Sequence, residues 1–541
     1  MQPGFAVRTP VAGGAIEKHG SESYYVLGEG LLGESLGGRT AREAAPDTAT
    51  TPPFRFSRLG PSGIGRQLGD PVRKRVANAM TVGGGGTGGI PAGYTYLGQF
   101  VDHDLTFDKT GVMLGTNVSP AALLQARSPT LDLDSLYGAG PLDPASARFY
   151  KADRLHLKTG KTAGADGLPP KEDFDLRRGE GASAAAKRKA VIPDPRNDEN
   201  LAVAQTHLAF IRFHNRVVDT LPASVPAAMR FATAREIVVK HYQWMLRTDY
   251  LPRICAPGVV SDVFQKGRKA FEVAAPATVV PTMPIEFSVA AFRLGHSMIR
   301  GTYNWNRIFD DGSGTLDLLF VFSATSGDLG GSPRLPSTWI ADFRRLYDFG
   351  QAGRSDLVVP AAKFNRAMRI DTLLVNPLKN LPAASFGGPS VPLNDPRANL
   401  AFRNLTRGKM VRLATGQQMA TFLKSRGVSL TRLTHAEIRN GRNGADLGGL
   451  TQDQRASVVR RTPLWFYILR EAELNGGKLT GVGARIVAET FHRAMEGSEH
   501  SIVRDTAWRP SLGPNSTTFR MVDLLLFAFE GKKALLNPLG S

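Results

Sequence analysis

Between Tyr94 and Asp108 the chain sets Gln99, Asp102, His103 and Asp104 among aromatic and aliphatic neighbours, in Tyr94-Thr95-Tyr96-Leu97-Gly98-Gln99-Phe100-Val101-Asp102-His103-Asp104. Charged groups among apolar ones are costly unless each finds a partner. The fold must therefore be large enough to enclose a polar pocket within a core. The spacing predicts a helix over 94–108, with Gln99 and His103 four apart on one face. Taken alone, His103 reads more readily as a buried structural histidine than as a catalytic one.

A second constraint is Asp194-Pro195-Arg196-Asn197-Asp198-Glu199-Asn200. Pro193 and Pro195 sit where proline is tolerated at a helix start. Leu201, Ala204, Leu208 and Ile211 recur at helical spacing, so a helix is expected over 196–221. Asp198 and Glu199 suit its first turn. Arg196 does not, because a cation there opposes the macrodipole and calls for an anionic partner. A third motif is Ala291-Phe292-Arg293-Leu294-Gly295-His296-Ser297-Met298. A glycine inside a helix costs about 1 kcal/mol relative to alanine. Gly295 would let a flat group approach His296, and Arg293 lies one turn away. This set could also be a buried polar pair.

Further helices are expected over 232–251, 287–299, 463–475 and 482–495, and one short strand over 316–322. Gly83–Gly86 with Gly88-Gly89 lacks the lysine of a phosphate loop and is read as a turn. Lys187-Arg188-Lys189 is read as lying in a loop with Ser183–Ala186. No fixed-period repeat occurs. The expected fold is mainly α: a loose arm over 1–55, then one large helical domain over 56–541 with long loops and little strand.

The formal net charge of +19 could favour nucleic acid, an anionic membrane or acidic partners. No zinc-finger spacing or nucleic-acid module accompanies it, so a basic solvated surface is the simpler reading and no nucleic-acid partner is expected. No apolar run is long enough to span a membrane. No secretory signal is read at the start, and Cys255 is the only cysteine. The expected location is the cytoplasm, or outside the cell by a route without such a signal. The oligomeric state is left open.

These motifs, with Ala204-Gln205-Thr206-His207, His214-Asn215-Arg216, Arg403-Asn404-Leu405-Thr406-Arg407-Gly408 and Pro463–Arg470, resemble the animal-type haem peroxidases (the peroxidase–cyclooxygenase superfamily), especially the bacterial members. The matches run in order from Gly89 to Gly513. The resemblance implies haem b, hydrogen peroxide as acceptor and a single helical haem-peroxidase domain. By position it implies His103 as distal histidine, Gln99 as its water-ordering partner, Arg196 as distal arginine and His296 as proximal iron ligand. Asn404 matches the asparagine that accepts the proximal N–H, and Arg293 and Arg407 match residues near the propionates. Asp102 and Glu199 match the carboxylates that form esters with haem methyl groups. The resemblance further implies a calcium site made of Asp104, Ser128, Thr130, Asp132 and Asp134. Here Asp134 stands at a hydroxyl position and Ser128 at a threonine position.

Two departures narrow the expected activity. Family members with a sulfonium-linked haem carry a methionine after the ester-forming glutamate, whereas Asn200 follows Glu199 here. Chloride oxidation is therefore not expected, and bromide, iodide, thiocyanate or phenols are the expected donors. Cyclooxygenases and related fatty-acid dioxygenases carry a radical-forming tyrosine three residues before the proximal histidine, where this chain has Arg293. Peroxidase is preferred to fatty-acid oxygenation on that residue. It is preferred to a non-catalytic haem protein because Gln99, His103 and Arg196 are all present.

Overall fold

The computed structural model describes residues 23–25, 54–179, 181–381 and 394–540. Most of the expected arm over 1–55 lies outside the described residues. The fold is mainly helical. Its strands pair only two at a time, as in Thr87–Pro91 against Arg366–Met368 and Phe56–Ser57 parallel to Met283–Pro284. One apolar cluster runs from Phe56 to Leu539.

The central element is the helix Leu201–Thr220, whose first half is buried on every face. Against it pack the His103 helix, Gly93–Leu105, and the helix Arg230–Met245. A π turn, Leu246–Tyr250, continues the latter. The His103 helix lies very close to this turn: a Cβ on Gly98 would fall 2.4 Å from the Tyr250 hydroxyl oxygen, so only glycine fits. The other end of the molecule is built on Leu400–Met410, Leu464–Leu474 and Gly481–Glu496. Leu464–Leu474 packs against the turn Ala291–Leu294, and the short helix Gly295–Met298 touches the His103 helix.

Four sequence expectations change. The helix expected over 196–221 is two elements. Pro195–Asp198 forms a 3-10 turn, and the α-helix begins at Leu201, after Asn200 caps the Val203 amide from an extended backbone. The helix expected over 287–299 is broken at Ala290 (φ −132°, ψ −68°) into Ile285–Val289, Ala291–Leu294 and Gly295–Met298. The strand expected over 316–322 is a helix, Leu316–Val321, because Thr315 caps the Leu318 amide and so favours a helical start. The loop expected around 183–189 holds a short helix, Ala184–Arg188, capped by Ser183. In the last two cases a hydroxyl cap outweighs the apolar-run or loop composition. Cys255 is buried as a free thiol.

Candidate active site

The segment Asp194–Asn200 works as one tool. Asp194 caps the Arg196 amide and holds its guanidinium through Nε (3.0 Å) and Nη2 (2.7 Å). Arg127 reaches the same carboxylate at 2.6 Å. The two guanidiniums hold the Asp194 carboxyl far below the usual range despite burial. Arg196 also donates to the carbonyls of His103 (3.0 Å) and Thr106 (2.6 Å) and lies over the Phe107 ring. Arg178 clamps Asp198 at 2.5 Å and Asp175 at 2.7 Å.

Asn197, Glu199 and Asn200 of that segment face the His103 helix. His103 Nδ1 lies 2.9 Å from Asn197 Oδ1. An amide oxygen only accepts, so the ring proton sits on Nδ1 and Nε2 keeps its lone pair. Burial, then the nearby Arg196 charge, push the His103 pKa down to about 3, so the ring is neutral at ordinary pH. The lone-pair nitrogen is 3.8 Å from the fully buried Glu199 carboxylate. Gln99 Nε2 approaches the same carboxylate at 3.4 Å, and Asn200 Nδ2 donates to Gln99 Oε1 at 2.9 Å. Gln99, His103, Glu199 and Asn200 thus converge. Asp102 is half-buried on the same helix and adds its charge to the field at Arg196.

His296 sits in Gly295–Met298, half-buried, with Trp465 edge-on at 6.4 Å between ring centroids. Its Nδ1 is 2.8 Å from the Asn404 side-chain amide, whose Oδ1 is buried with no protein partner. With Nδ2 donating, the ring proton lies on Nε2. With the amide turned over, Oδ1 accepts from Nδ1–H and Nε2 is left with a lone pair suited to a metal. A Cβ added to Gly295 meets nothing within 4 Å, so a flat face lies open beside His296. Arg293 turns back, donating from Nε to the Ser288 carbonyl. Arg407 is fully buried one turn after Asn404. An open glycine face, an unpartnered amide oxygen and buried guanidiniums fit a haem held by His296.

The expected calcium ligands lie near one another but are engaged with protein. Asp104 accepts from the amides of Leu133 and Ser135 and from the hydroxyls of Ser135 and Tyr242. Ser128 and Thr130 share a hydrogen bond of 2.7 Å, and Asp132 accepts from the Glu499 amide. The expected alternation of oxygen groups stops at Leu133, whose φ of 60° starts the short helix Asp134–Tyr137. Burial, together with the neighbouring carboxylates Asp134 and Asp132, raises the Asp104 pKa to about 7. Among the described residues no three His, Cys, Asp or Glu side chains converge closely enough to hold a metal ion.

Sequence reasoning missed Asn197, Asp194 and Asn200 as positioning groups. Their only signal was the density of polar residues before an apolar helix. A cavity of about 370 Å³ lined by Lys151, Lys158, Lys161, Arg177, Arg178 and Arg334 includes none of the expected site residues. No helix among the described residues is long and apolar enough to cross a membrane.

The family model for animal haem peroxidase matches residues 99–326, which carry both histidines. The chain is 28% identical over 192 residues to thyroid peroxidase of Rattus norvegicus, covering 34% of this chain and 20% of that protein. It is 30% identical over 114 residues to a peroxidase-like protein of Margaritifera margaritifera, covering 20% and 14%. The matched stretches thus span a fifth or less of these relatives. Peroxidase A from Dictyostelium discoideum has a similar fold, with a TM-score of 0.57 at 14% identity, covering 90% of this chain and 94% of that one. A fatty acid alpha-dioxygenase of Arabidopsis thaliana gives 0.52 at 12%, covering 90% and 78%. Over residues 99–326 the chain is similar to the animal haem peroxidase family.

Proposed function

We propose that the protein is a haem-dependent peroxidase that reduces hydrogen peroxide and oxidises small donors. The observation that carries this reading is the His103–Asn197 hydrogen bond of 2.9 Å, which leaves the lone pair of a neutral imidazole on the nitrogen nearer Glu199. Haem would supply a ferric centre able to bind peroxide and store two oxidising equivalents. His296 would hold it, with Asn404 accepting the Nδ1 proton, and Arg293 and Arg407 would supply positive charge for its propionates.

His103 Nε2 accepts a proton from peroxide and returns it to the departing oxygen. Gln99, held by Asn200, orders water beside that nitrogen. Arg196 contributes positive charge where negative charge develops, and Asp194 fixes its position. Asp102 and Glu199 are the groups for ester links to the cofactor. Asp104, Ser128, Thr130, Asp132 and Asp134 are the groups for calcium, whose charge would relieve the repulsion that raises the Asp104 pKa. Bromide, iodide, thiocyanate and phenols are the donors proposed, and Asn200 after Glu199 argues against chloride. The dioxygenase-like fold supports fatty-acid oxygenation as a second reading, which Arg293 before His296 disfavours.

The test is expression with ample haem, followed by peroxide addition in the presence of iodide, a phenol or an unsaturated fatty acid. A Soret band with peroxide-dependent iodide or phenol oxidation supports the reading. Absence of a Soret band overturns it, and oxygen uptake with fatty acid alone favours the second.

A further inference from the structure

His207 has no part in the chemistry so far, yet it completes a chain that begins at the proposed base. His103 Nδ1 meets Asn197 Oδ1 at 2.9 Å, and Asn197 Nδ2 meets His207 Nδ1 at 2.9 Å. Asn197 and His207 are fully buried, His103 is nearly so, and the His207 ring packs edge-on to Phe100 at 5.8 Å. His207 Nε2 is buried and has no hydrogen-bond partner.

An amide between two imidazoles couples their tautomers. Its oxygen only accepts and its nitrogen only donates. If His103 carries its proton on Nδ1, His207 must accept at Nδ1 and carry its own on Nε2. Turning the amide over reverses both rings, and His103 Nε2 then bears a proton and cannot act as a base. Neutral histidine intrinsically favours the Nε2–H form, and the bridge lets only one of these two rings keep it. We propose that Asn197 and His207 are positioning residues that hold His103 in the Nδ1–H form, with Nε2 free of a proton and ready to accept one. This rests on the haem-peroxidase reading above and names the residues that set the state of its base.

The test uses the haem-loaded protein and two small probes. Hydrogen cyanide must give up its proton to a distal base as it binds ferric haem, so its association rate reports the base. Carbon monoxide on ferrous haem reports the tautomer without any turnover, because an N–H aimed at it lowers the C–O stretching frequency. Asn197→Leu should slow cyanide binding by about 10-fold or more and add a lower-frequency C–O band. Asn197→Asp, which still offers an acceptor to His103 Nδ1–H, should restore the rate to within about 2-fold of the parent. His207→Leu should show two C–O bands as the amide loses its orientation. His207→Asn, whose oxygen stands near the former Nδ1, should show one.

A normal Soret band with an unmoved cyanide rate and C–O band in Asn197→Leu and His207→Leu would overturn the proposal and leave the haem reading standing. Asn197→Asp as slow as Asn197→Leu would overturn it too, by reducing Asn197 to a packing residue. Should the leucine variants fail to fold, the conservative pair still decides. A parental rate with one unshifted band in both Asn197→Asp and His207→Asn supports the proposal, and a slowed rate or a split band in either overturns it. Absence of a Soret band from the parent itself overturns the underlying haem reading.

Discussion

On the His103 side, the positioning groups are bonded to one another: Asp194 to two guanidiniums, Asn197 to two imidazoles, Gln99 to Asn200 and Glu199. On the His296 side, a half-buried ring meets one amide, an open glycine face lies beside it, and the Asn404 oxygen lacks a protein partner. Buried carboxyls vary with their partners rather than with the side, since Asp104 on the His103 helix is also raised, to about 7. Asp194 is paired with cations and held ionised. Glu471, in the helix behind His296, accepts among the described residues from the amides of Val482 and Gly483, and burial pushes its pKa up to about 8. One side is finished by the polypeptide; the other is shaped for something the polypeptide does not supply. Proton transfer needs fixed geometry before any ligand arrives, whereas a ligating histidine is fixed by the atom it binds.

Five substitutions can break or sharpen that contrast. His103→Ala should leave haem bound and slow the first reaction with peroxide by about 10²–10⁴-fold in stopped-flow absorbance. An unchanged rate would remove the proton-transfer role. His296→Ala should weaken haem retention by more than about 100-fold in Soret titration, since it deletes the ligand itself. Asn404→Leu should cost about 10–100-fold in the same titration. Retention equal to the parent would mean the amide does not orient His296. Gly295→Leu should cost about 10-fold in haem affinity, because the side chain enters the open face, while helix propensity shifts apoprotein stability by less than about 1 kcal/mol. Equal loss in stability and affinity would mean the face is packed by protein.

The smallest effect concerns Glu471→Gln. A raised folded pKa gives stability that is fully present below the ordinary value of 4.5 and lost as pH rises through about 8. The variant has no such loss, so its melting temperature relative to the parent should climb from pH 5 to pH 9. A flat difference would show that Glu471 titrates normally.

Much of the contrast was legible in the residues. Gln99 and His103 share a helix face because their spacing demands it, and Gly295 beside His296 marked the open face. The lengths of the major helices followed from apolar spacing. The breaks did not. Asn200 and Thr315 act through single hydroxyl or amide caps, which an apolar periodicity averages away. The break at Ala290 has no glycine or proline to announce it, and the turn that follows it packs against Leu464–Leu474. Asn197 was invisible as a positioning group because its two partners lie on different helices, and the short helix that starts at Asp134 was hidden because a left-handed Leu133 precedes it.

The order of these groups along the chain has a kinetic consequence. His103, Asn197 and His207 are all in place by residue 207, whereas the Asn404 that meets His296 is 108 positions beyond it. At about 5–20 residues per second, roughly 10–40 s of synthesis separate His207 from Asn404. The groups that position His103 are thus synthesised well before the Asn404 that meets His296.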